Sequence, residues 1–183
     1  MNEPHDRLTA ATWNALAAEA IRDVRVSNPQ RTLVLGPVNW NGIDRLSALE
    51  LPADERNLIV TVHYYLPFQF THQGAEWVSG SALWRGTRWD GSDAARAAVA
   101  RDLDRAAAWG RQHGRPIYLG EFGAYSKADM DSRARWTAAV ARLAEERGFS
   151  WAYWEFCAGF GIYQPATGEW RWPLVQALVG QTE

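Results

Sequence analysis

Two kinds of apolar segment alternate along this chain. Short continuous apolar runs, typical of strands covered on both faces of a sheet, occupy residues 32–36, 58–65, 116–122 and 150–156. Longer segments repeat apolar residues every three or four positions and predict helices over residues 8–25, 92–114 and 131–148. Regular alternation of strands with helices favours parallel βα units.

The breaks between these segments predict where loops lie. Gly110 and Gly114 are expected to end the second helix, because glycine is a poor helix former that is favoured just beyond a helix end. Residues 39–42 form a short polar and aromatic loop after the first strand. Residues 66–91 form a longer one. A loop of this length in a compact domain is usually functional, so we expect it to be the wall of a cleft.

The composition is that of a globular protein and narrows the range of partners. The chain has 183 residues, 47% of them hydrophobic and 22% charged, with a net charge of −2. This charge gives no reason to expect nucleic acid or an acidic membrane surface as a partner, and no apolar run reaches the roughly 18 residues that span a bilayer. Cys157 is the only cysteine, so neither an intrachain disulfide nor a cysteine-ligated zinc site is expected.

Tryptophan is unusually abundant, with 11 residues. Those on predicted helices are explained by packing into the core. Those in predicted loops offer a flat apolar surface that suits the face of a sugar, although some will pack beneath loops. The loop group consists of Trp40, Trp77, Trp84 and Trp89.

Two glutamates are placed for acid and base chemistry. Glu121 ends the strand over residues 116–122 and is followed by glycine within two positions. A carboxylate is costly on a buried strand unless it is paired, so this position favours a site, although a lone strand-end Glu is often ordinary surface. Glu3 is a second carboxylate, in a segment that Pro4 pushes toward an extended backbone. Two such groups at loop mouths suggest acid/base catalysis.

Four short motifs in order resemble a known enzyme family. They are Asn2-Glu3-Pro4, His63-Tyr64-Tyr65, Gly120-Glu121-Phe122-Gly123 and Trp151-Ala152-Tyr153-Trp154. Together they resemble the C-terminal half of the catalytic domain of glycoside hydrolase family 5, the cellulase family, and the resemblance runs essentially end to end. It implies an α/β fold, the (β/α)8 TIM barrel. Here it would be a partial barrel that covers the end of strand 4 through strand 8 and the final helix.

The resemblance also implies catalytic roles at the C-terminal ends of strands. Glu121 is expected to be the nucleophile. Glu3 is expected to protonate the leaving sugar oxygen and then, as a base, to activate water. The hydroxyl of Tyr65 is expected to donate a hydrogen bond to the nucleophile, which holds the carboxylate ionised.

The other site residues implied by the resemblance contact the sugar or flank the glutamates. Asn2 is expected to bind the sugar 2-hydroxyl, and Trp154 to stack under the sugar at the cleavage point. The loop that carries Trp40 is expected to border the cleft. His63 is expected beside the two glutamates. Without the resemblance, His63 and Tyr65 on one strand face would be taken for an ordinary core pair satisfied by neighbours.

The function implied is that of a retaining endo-β-1,4-glucanase that acts on cellulose or a related β-glucan, as polysaccharide or oligosaccharide. Two alternatives stay open. One is a non-catalytic β-glucan-binding protein that uses the same aromatic residues. The other is a hydrolase of mannan or another β-glycan, because loops decide substrate choice in such folds. No cofactor is expected, and no metal ion, because His72 has no companions at ligand spacing.

The length of the chain affects how it is expected to behave. A complete (β/α)8 barrel typically needs about 250 residues. We therefore expect residues 1–183 to be the C-terminal portion of a single catalytic domain. Alone, the chain is expected to have little activity and to self-associate through its open barrel edges. The resemblance implies a secreted or periplasmic parent protein, and no signal peptide precedes the first motif.

Overall fold

Four parallel strands form the main sheet of the computed structural model, which describes residues 2–180. They are β1 (Leu33–Leu35), β2 (Leu58–Tyr64), β3 (Ile117–Phe122) and β4 (Ser150–Trp151). Each strand pairs in parallel with the next one along the chain. Strands that add one after another in a single direction form an arc of a (β/α)8 barrel, whereas a doubly wound sheet reverses its order. The predicted fold class, a partial barrel, is confirmed.

Helices and short turns connect these strands. The three long helices begin at capping side chains, since Thr9, Ser92 and Asp129 each accept a hydrogen bond from a backbone N–H three residues later. A hairpin of β5 (Tyr163–Gln164) and β6 (Glu169–Trp170) follows β4. The helices are α1 (Ala10–Ser27), α2 (Val38–Asn41), α3 (Phe68–Thr71), α4 (Asp93–His113), α5 (Met130–Glu145) and α6 (Trp172–Val179), with 3-10 turns over Ile43–Ala48 and Ser81–Trp84.

The hydrophobic core joins β2 and β3 to α4 and α5. Val60, Val62 and Leu119 on the strands are fully buried, as are Leu103 on α4 and Trp136 on α5, and all five belong to one cluster. Truncating a large buried side chain in such a cluster typically costs about 2–5 kcal/mol of stability. This packing fixes the two strands whose ends carry the candidate site.

The last strand of the sheet is shorter than predicted. An apolar run over residues 150–156 suggested one strand, but β4 is only two residues long. Beyond it the backbone follows β3 through separate hydrogen bonds: Ala152 N donates to Leu119 O at 2.9 Å, and Trp154 N donates to Phe122 O at 2.9 Å. The chain loses strand geometry here but still delivers Trp154 to the end of β3.

The prediction that residues 32–36 form a buried strand is wrong in part. The strand exists as β1, but the side chain of Val34 is 54% exposed. Within residues 2–180, β1 has a strand neighbour on one side only, so it is an edge of the sheet. A continuous apolar run does not distinguish an edge strand from a central one.

Residues 1–6 were predicted to be a strand end and loop; Met1 lies outside the described residues, and residues 2–6 contain no strand. Residues 2–8 lie outside regular secondary structure, and α1 begins at Ala10, slightly later than expected. Hydrogen bonds from the turn after β1 hold this segment instead. Trp40 N donates to Pro4 O at 3.3 Å, and Asn41 Nδ2 donates to Asn2 O at 3.0 Å.

Gly110 lies inside α4 and not at its end. A Cβ at this position would lie 2.8 Å from Cγ1 of Ile117 and 2.9 Å from the carbonyl oxygen of Arg115. Glycine here therefore permits close packing of the helix against the start of β3. Gly114 ends the helix as predicted, with φ of 61° in the left-handed region.

The long segment over residues 66–91 is folded. It contains α3 and a 3-10 turn, and its buried Gln73 crosslinks the backbone. Nε2 of Gln73 donates to the carbonyl oxygens of Phe70 and Thr87, and its Oε1 accepts from Gly86 N. A segment tied in this way can serve as a fixed wall. Across residues 2–180, no helix is both long enough and apolar enough to cross a membrane.

Candidate active site

His63 lies between the two candidate catalytic carboxylates. Its Nδ1 atom is 2.6 Å from Oε1 of Glu3 and 3.4 Å from Oε2 of Glu121. The parallel register explains part of this arrangement, because His63 on β2 pairs directly with Glu121 on β3 and paired residues point to the same face of a sheet. A register irregularity between Val62 and His63 precedes this pair. The histidine is buried and the glutamates are partly exposed, so the carboxylates can be reached from solvent.

The carboxylates of Glu3 and Glu121 are close neighbours. One carboxylate oxygen of each, together with a ring nitrogen of His63, forms a group whose atoms all lie within 4.8 Å of one another. The side chain of Glu3 is 24% exposed and that of Glu121 is 12% exposed. Two like charges at this separation repel, so the surrounding hydrogen-bond donors decide how they coexist.

Glu121 accepts hydrogen bonds at both oxygens. Asn2 Nδ2 donates to Oε1 at 3.1 Å, and the hydroxyl of Tyr65 donates to Oε2 at 3.0 Å. Burial, and then the charge of Glu121, raises the pKa of Tyr65 well above its ordinary value, so the hydroxyl keeps its proton and remains a donor. Donors to a carboxylate favour its ionised form.

Asn41 is part of this site, and the sequence analysis did not single it out. Its side chain is fully buried, and Nδ2 contacts both Asn2 O at 3.0 Å and Nε2 of His63 at 3.2 Å. Its backbone has φ of 56°, in the left-handed region that asparagine tolerates better than most residues. In the sequence, the only sign of a role for Asn41 is its place in an asparagine-rich loop directly after a strand.

The rings of His72 and Phe160 pack against the ring of Tyr65. Ring centroids of Tyr65 and His72 are 5.1 Å apart in an edge-to-face arrangement, and those of Tyr65 and Phe160 are 6.1 Å apart. Burial lowers the pKa of His72 to about 4, so its ring is neutral near pH 7. Sequence analysis rejected His72 as a metal ligand without assigning it a place at the site, and it did not identify Phe160, which lies in the loop after β4.

Comparison with known proteins assigns the family. The family model for cellulases of glycosyl hydrolase family 5 matches residues 1–159. The chain belongs to this family. The resemblance drawn from the four motifs is thereby confirmed.

Relatives in family 5 are endoglucanases. Endoglucanase H of Acetivibrio thermocellus is 33% identical over 155 residues, which cover 85% of this chain and 16% of that protein. Endoglucanase C of the same organism is 28% identical over 192 residues, which cover 91% of this chain and 54% of that protein. The chain therefore spans about half, or less, of the length of these relatives.

Solved structures of family 5 proteins superpose closely on this chain. A structure described as an endoglucanase has a TM-score of 0.94 at 46% identity, covering 98% of this chain and 58% of the other. Thermotoga maritima Cel5A in complex with mannotriose has a TM-score of 0.94 at 46% identity, with 97% and 57% covered. The same protein with cellobiose has 47% identity over the same shares and the same TM-score.

Two of the predicted sugar-binding tryptophans are accessible at the family 5 site. Trp154 is 45% exposed, and its backbone contacts the end of β3 so closely that a Cβ on Gly123 would lie 2.1 Å from its carbonyl oxygen. Trp40 is 46% exposed and stacks on the ring of His5 at 5.0 Å. Both tryptophans are partly exposed, and their backbones contact the segments that carry Glu121 and Glu3. Sugar binding by these residues stays a prediction.

The remaining loop tryptophans differ from one another. Trp77 is exposed and packs its ring edge-to-face against Tyr125 at 4.9 Å. Trp84 is half-buried, near the ring of Phe68. Trp89 is only 4% exposed and belongs to the core cluster, so it is one of the loop tryptophans that pack beneath a loop.

Glu3, His63 and Glu121 are also near enough to one another to be considered as metal ligands. The 2.6 Å contact between Nδ1 of His63 and Oε1 of Glu3 is a short hydrogen bond, which explains the close approach without an ion. That the site needs no metal stays a prediction.

Proposed function

We propose that this site hydrolyses β-1,4-glucosidic bonds in cellulose or a related β-glucan by a retaining double-displacement mechanism. The observation that carries the proposal is the closeness of Glu3 and Glu121, since one carboxylate oxygen of each lies within 4.8 Å of the other. Retaining glycosidases hold their two carboxyl groups about 5–5.5 Å apart, whereas inverting enzymes leave about 6.5–9.5 Å for a water molecule. The separation here fits direct attack by one carboxylate.

Glu121 is the nucleophile in this proposal. Hydrogen bonds from Asn2 and Tyr65 orient its carboxylate. Its carboxylate attacks the anomeric carbon, and the bond to the leaving sugar oxygen breaks as a covalent glycosyl-enzyme forms. Its 12% exposure limits competition from water before the sugar binds.

Glu3 is the acid and then the base. Protonated, it gives its proton to the leaving oxygen, and in the second step the resulting carboxylate takes a proton from the water that releases the product. Its side chain is the more exposed of the two, which suits a group that must meet both the leaving sugar and water.

The sugar contacts follow from the same geometry. Asn2 donates to Oε1 of Glu121, and its amide would also bind the sugar 2-hydroxyl, as the resemblance implies. Trp154 presents a partly exposed ring to the cleft and would stack under the sugar at the cleavage point. Trp40 would border the cleft on the side of Glu3.

Two alternatives remain from the sequence. Hydrolysis of mannan is supported by the mannotriose complex of Cel5A, a relative that was also solved with cellobiose. Simple glucan binding without hydrolysis does not account for a paired, hydrogen-bonded set of carboxylates. We also propose that residues 1–183 form the C-terminal portion of one catalytic domain, because the matches cover only 57–58% of the solved endoglucanases.

The stereochemistry of the first product tests the mechanism. Proton NMR during hydrolysis of a cello-oligosaccharide should show the β-anomer first, and an α-anomer appearing first would contradict the retaining assignment. The chain should be assayed alone and after it is joined to the N-terminal half of a family 5 relative. Activity only in the joined form would support the expected partial domain.

Matched variants distinguish the role of Glu121 as nucleophile from the role of Glu3 as acid and base. Glu121→Gln should abolish turnover, because the amide is a poor nucleophile. Glu3→Ala should retain the first step with aryl glycosides whose leaving groups need no protonation, and azide should restore turnover by replacing water. If Glu3→Ala lost the same fraction of activity with every leaving group, Glu3 would not be the acid. Glu19, on the surface of α1, offers a control through Glu19→Gln.

A further inference from the structure

The fully buried side chain of Asn41 joins two parts of the catalytic site. Its Nδ2 atom donates to the backbone carbonyl of Asn2 at 3.0 Å and lies 3.2 Å from Nε2 of His63. On the other side of the ring, Nδ1 of His63 is 2.6 Å from Oε1 of Glu3. Asn41 is thus connected to the acid/base carboxylate through one imidazole ring.

The carbonyl of Asn2 determines which way the amide of Asn41 points. A carbonyl oxygen can only accept a hydrogen bond, so the atom facing it must be the NH2 group of Asn41. A flipped amide would set two oxygens against each other. Within residues 2–180, Oδ1 of Asn41 has no hydrogen-bond partner, so both of the amide's contacts are made through Nδ2.

This orientation determines where the proton of His63 lies. Because Nδ2 of Asn41 donates, Nε2 of the ring must accept and carries no hydrogen. The ring proton is then on Nδ1, where it is donated to Oε1 of Glu3. A doubly protonated ring would place an N–H directly against the N–H of Asn41.

We propose that Asn41 is a positioning residue that holds His63 in the Nδ1–H tautomer and so preserves the acid form of Glu3. A ring with a bare Nδ1 beside a protonated Glu3 would compete for its proton. With Nδ1 already protonated, the ring can only donate, and the proton of Glu3 stays available on the other carboxyl oxygen for the leaving group. The catalytic part of this inference rests on the proposed function.

The local backbone is built around this side chain. Asn39, Trp40 and Asn41 all have positive φ, between 55° and 62°, which turns the chain back toward Asn2. A Cβ on Gly36 would lie 2.4 Å from Oδ1 of Asn41, so glycine at this position leaves the space that the amide fills. The hydrogen bond from Asn41 to Asn2 requires this turn, and the same hydrogen bond helps to hold the turn in place.

Nitrogen NMR of the native chain tests the tautomer without requiring activity. The chain has four histidines, so a sample with 15N-labelled histidine gives a short list of ring signals, and His63→Gln identifies the signal that disappears. We expect His63 to show a protonated Nδ1 and an unprotonated Nε2 near neutral pH. A signal for the Nε2–H tautomer, or a mixture of both, would overturn the proposal.

The variant Asn41→Asp tests whether Asn41 determines the tautomer of His63. Aspartate has nearly the same size and also tolerates positive φ, but it presents an acceptor to Nε2. The His63 signals should therefore move to a ring protonated on Nε2. Asn39→Asp, in the same turn with φ of 62° but exposed to solvent, is the matched control and should leave these signals unchanged. Unchanged His63 signals in folded Asn41→Asp would contradict the assigned role.

A comparison of leaving groups links the tautomer to catalysis, in whatever form of the protein hydrolyses aryl cellobiosides. General acid catalysis typically contributes about 10²–10⁴-fold, so Asn41→Asp should slow a substrate with a poor leaving group about tenfold more than one that needs no proton. Equal slowing of both would indicate a structural role only and would overturn the catalytic part. If the protein proved not to hydrolyse β-glucans, the tautomer of His63 measured by NMR would still stand.

Discussion

The hydroxyl of Tyr65 donates to Oε2 of Glu121 at 3.0 Å, linking the loop after β2 to the end of β3. The same oxygen is 3.4 Å from Nδ1 of His63, so one side of the proposed nucleophile is bordered by two donors. Since burial and the charge of Glu121 raise the pKa of Tyr65, the tyrosine acts as a fixed donor and not as an acid at ordinary pH.

Tyr65→Phe should therefore slow the reaction and leave the fold intact. A hydrogen bond to a charged group contributes about 1.5–3 kcal/mol, which corresponds to a loss of about ten- to a hundredfold in kcat/KM. Steady-state rates on an aryl cellobioside would measure the change. Tyr118→Phe removes a hydroxyl from the same strand as Glu121 and serves as the control. Equal effects of the two variants would mean that the Tyr65 hydroxyl has no special role.

Sequence reasoning proposed Glu121 because it stands where an apolar run ends, and Glu3 because it lies in the motif Asn2-Glu3-Pro4. The strands β2 and β3 were predicted from continuous apolar runs, and their parallel pairing brings His63 opposite Glu121. The outline of the fold and the position of Glu121 were therefore within reach of the sequence.

Other features depend on contacts between distant segments, which a single sequence does not reveal. Trp40 and Trp89 both lie in predicted loops, yet one is exposed at the site and the other is buried in the core. Asn41 became visible only when the turn after β1 was seen to reach Asn2. Gly110 resembled a helix end because glycine has low helix propensity, but its absent side chain makes room for Ile117.

Trp154→Ala should weaken binding of cello-oligosaccharides. The exposed ring of Trp154 is available for stacking, and an aromatic contact of this kind contributes about one to a few kcal/mol. Titration followed by tryptophan fluorescence or calorimetry would measure Kd. Trp172→Ala, at an exposed position on α6, is the control for general effects of tryptophan loss. An unchanged Kd in Trp154→Ala would assign Trp154 a structural role.

His72 should make the protein less stable as the pH falls below about 6.5. Burial lowers the pKa of His72 to about 4 in the folded state, against 6.5 for an ordinary histidine. Between these values the unfolded chain binds a proton that the folded chain does not, so the free energy of unfolding decreases with decreasing pH. The full effect, reached near pH 4, is on the order of 3 kcal/mol.

Urea denaturation at several pH values between about 7 and 4.5 would measure this dependence. His72→Gln should flatten it, whereas His113→Gln, at an exposed position, should not. The ion pair of Arg25 and Glu55 does not interfere, since its hydrogen bond lowers the pKa of Glu55 to about 2 and its contribution is lost only below about pH 4.5. The same slope in His72→Gln as in the native protein would refute the assignment.

The edges of the sheet should cause the chain to associate with itself. Within residues 2–180, β1 and β4 each have a strand neighbour on one side only, and such edges offer unpaired backbone groups to another chain. The exposed Val34 adds apolar surface to the β1 edge. Light scattering coupled to gel filtration should therefore show a mass that increases with concentration.

Val34→Lys should shift this equilibrium toward the monomer, because lysine on an edge strand opposes pairing. Val26→Lys, at an exposed position on α1, should have little effect. A constant monomer mass for the native chain at all concentrations would show that these edges are not association sites.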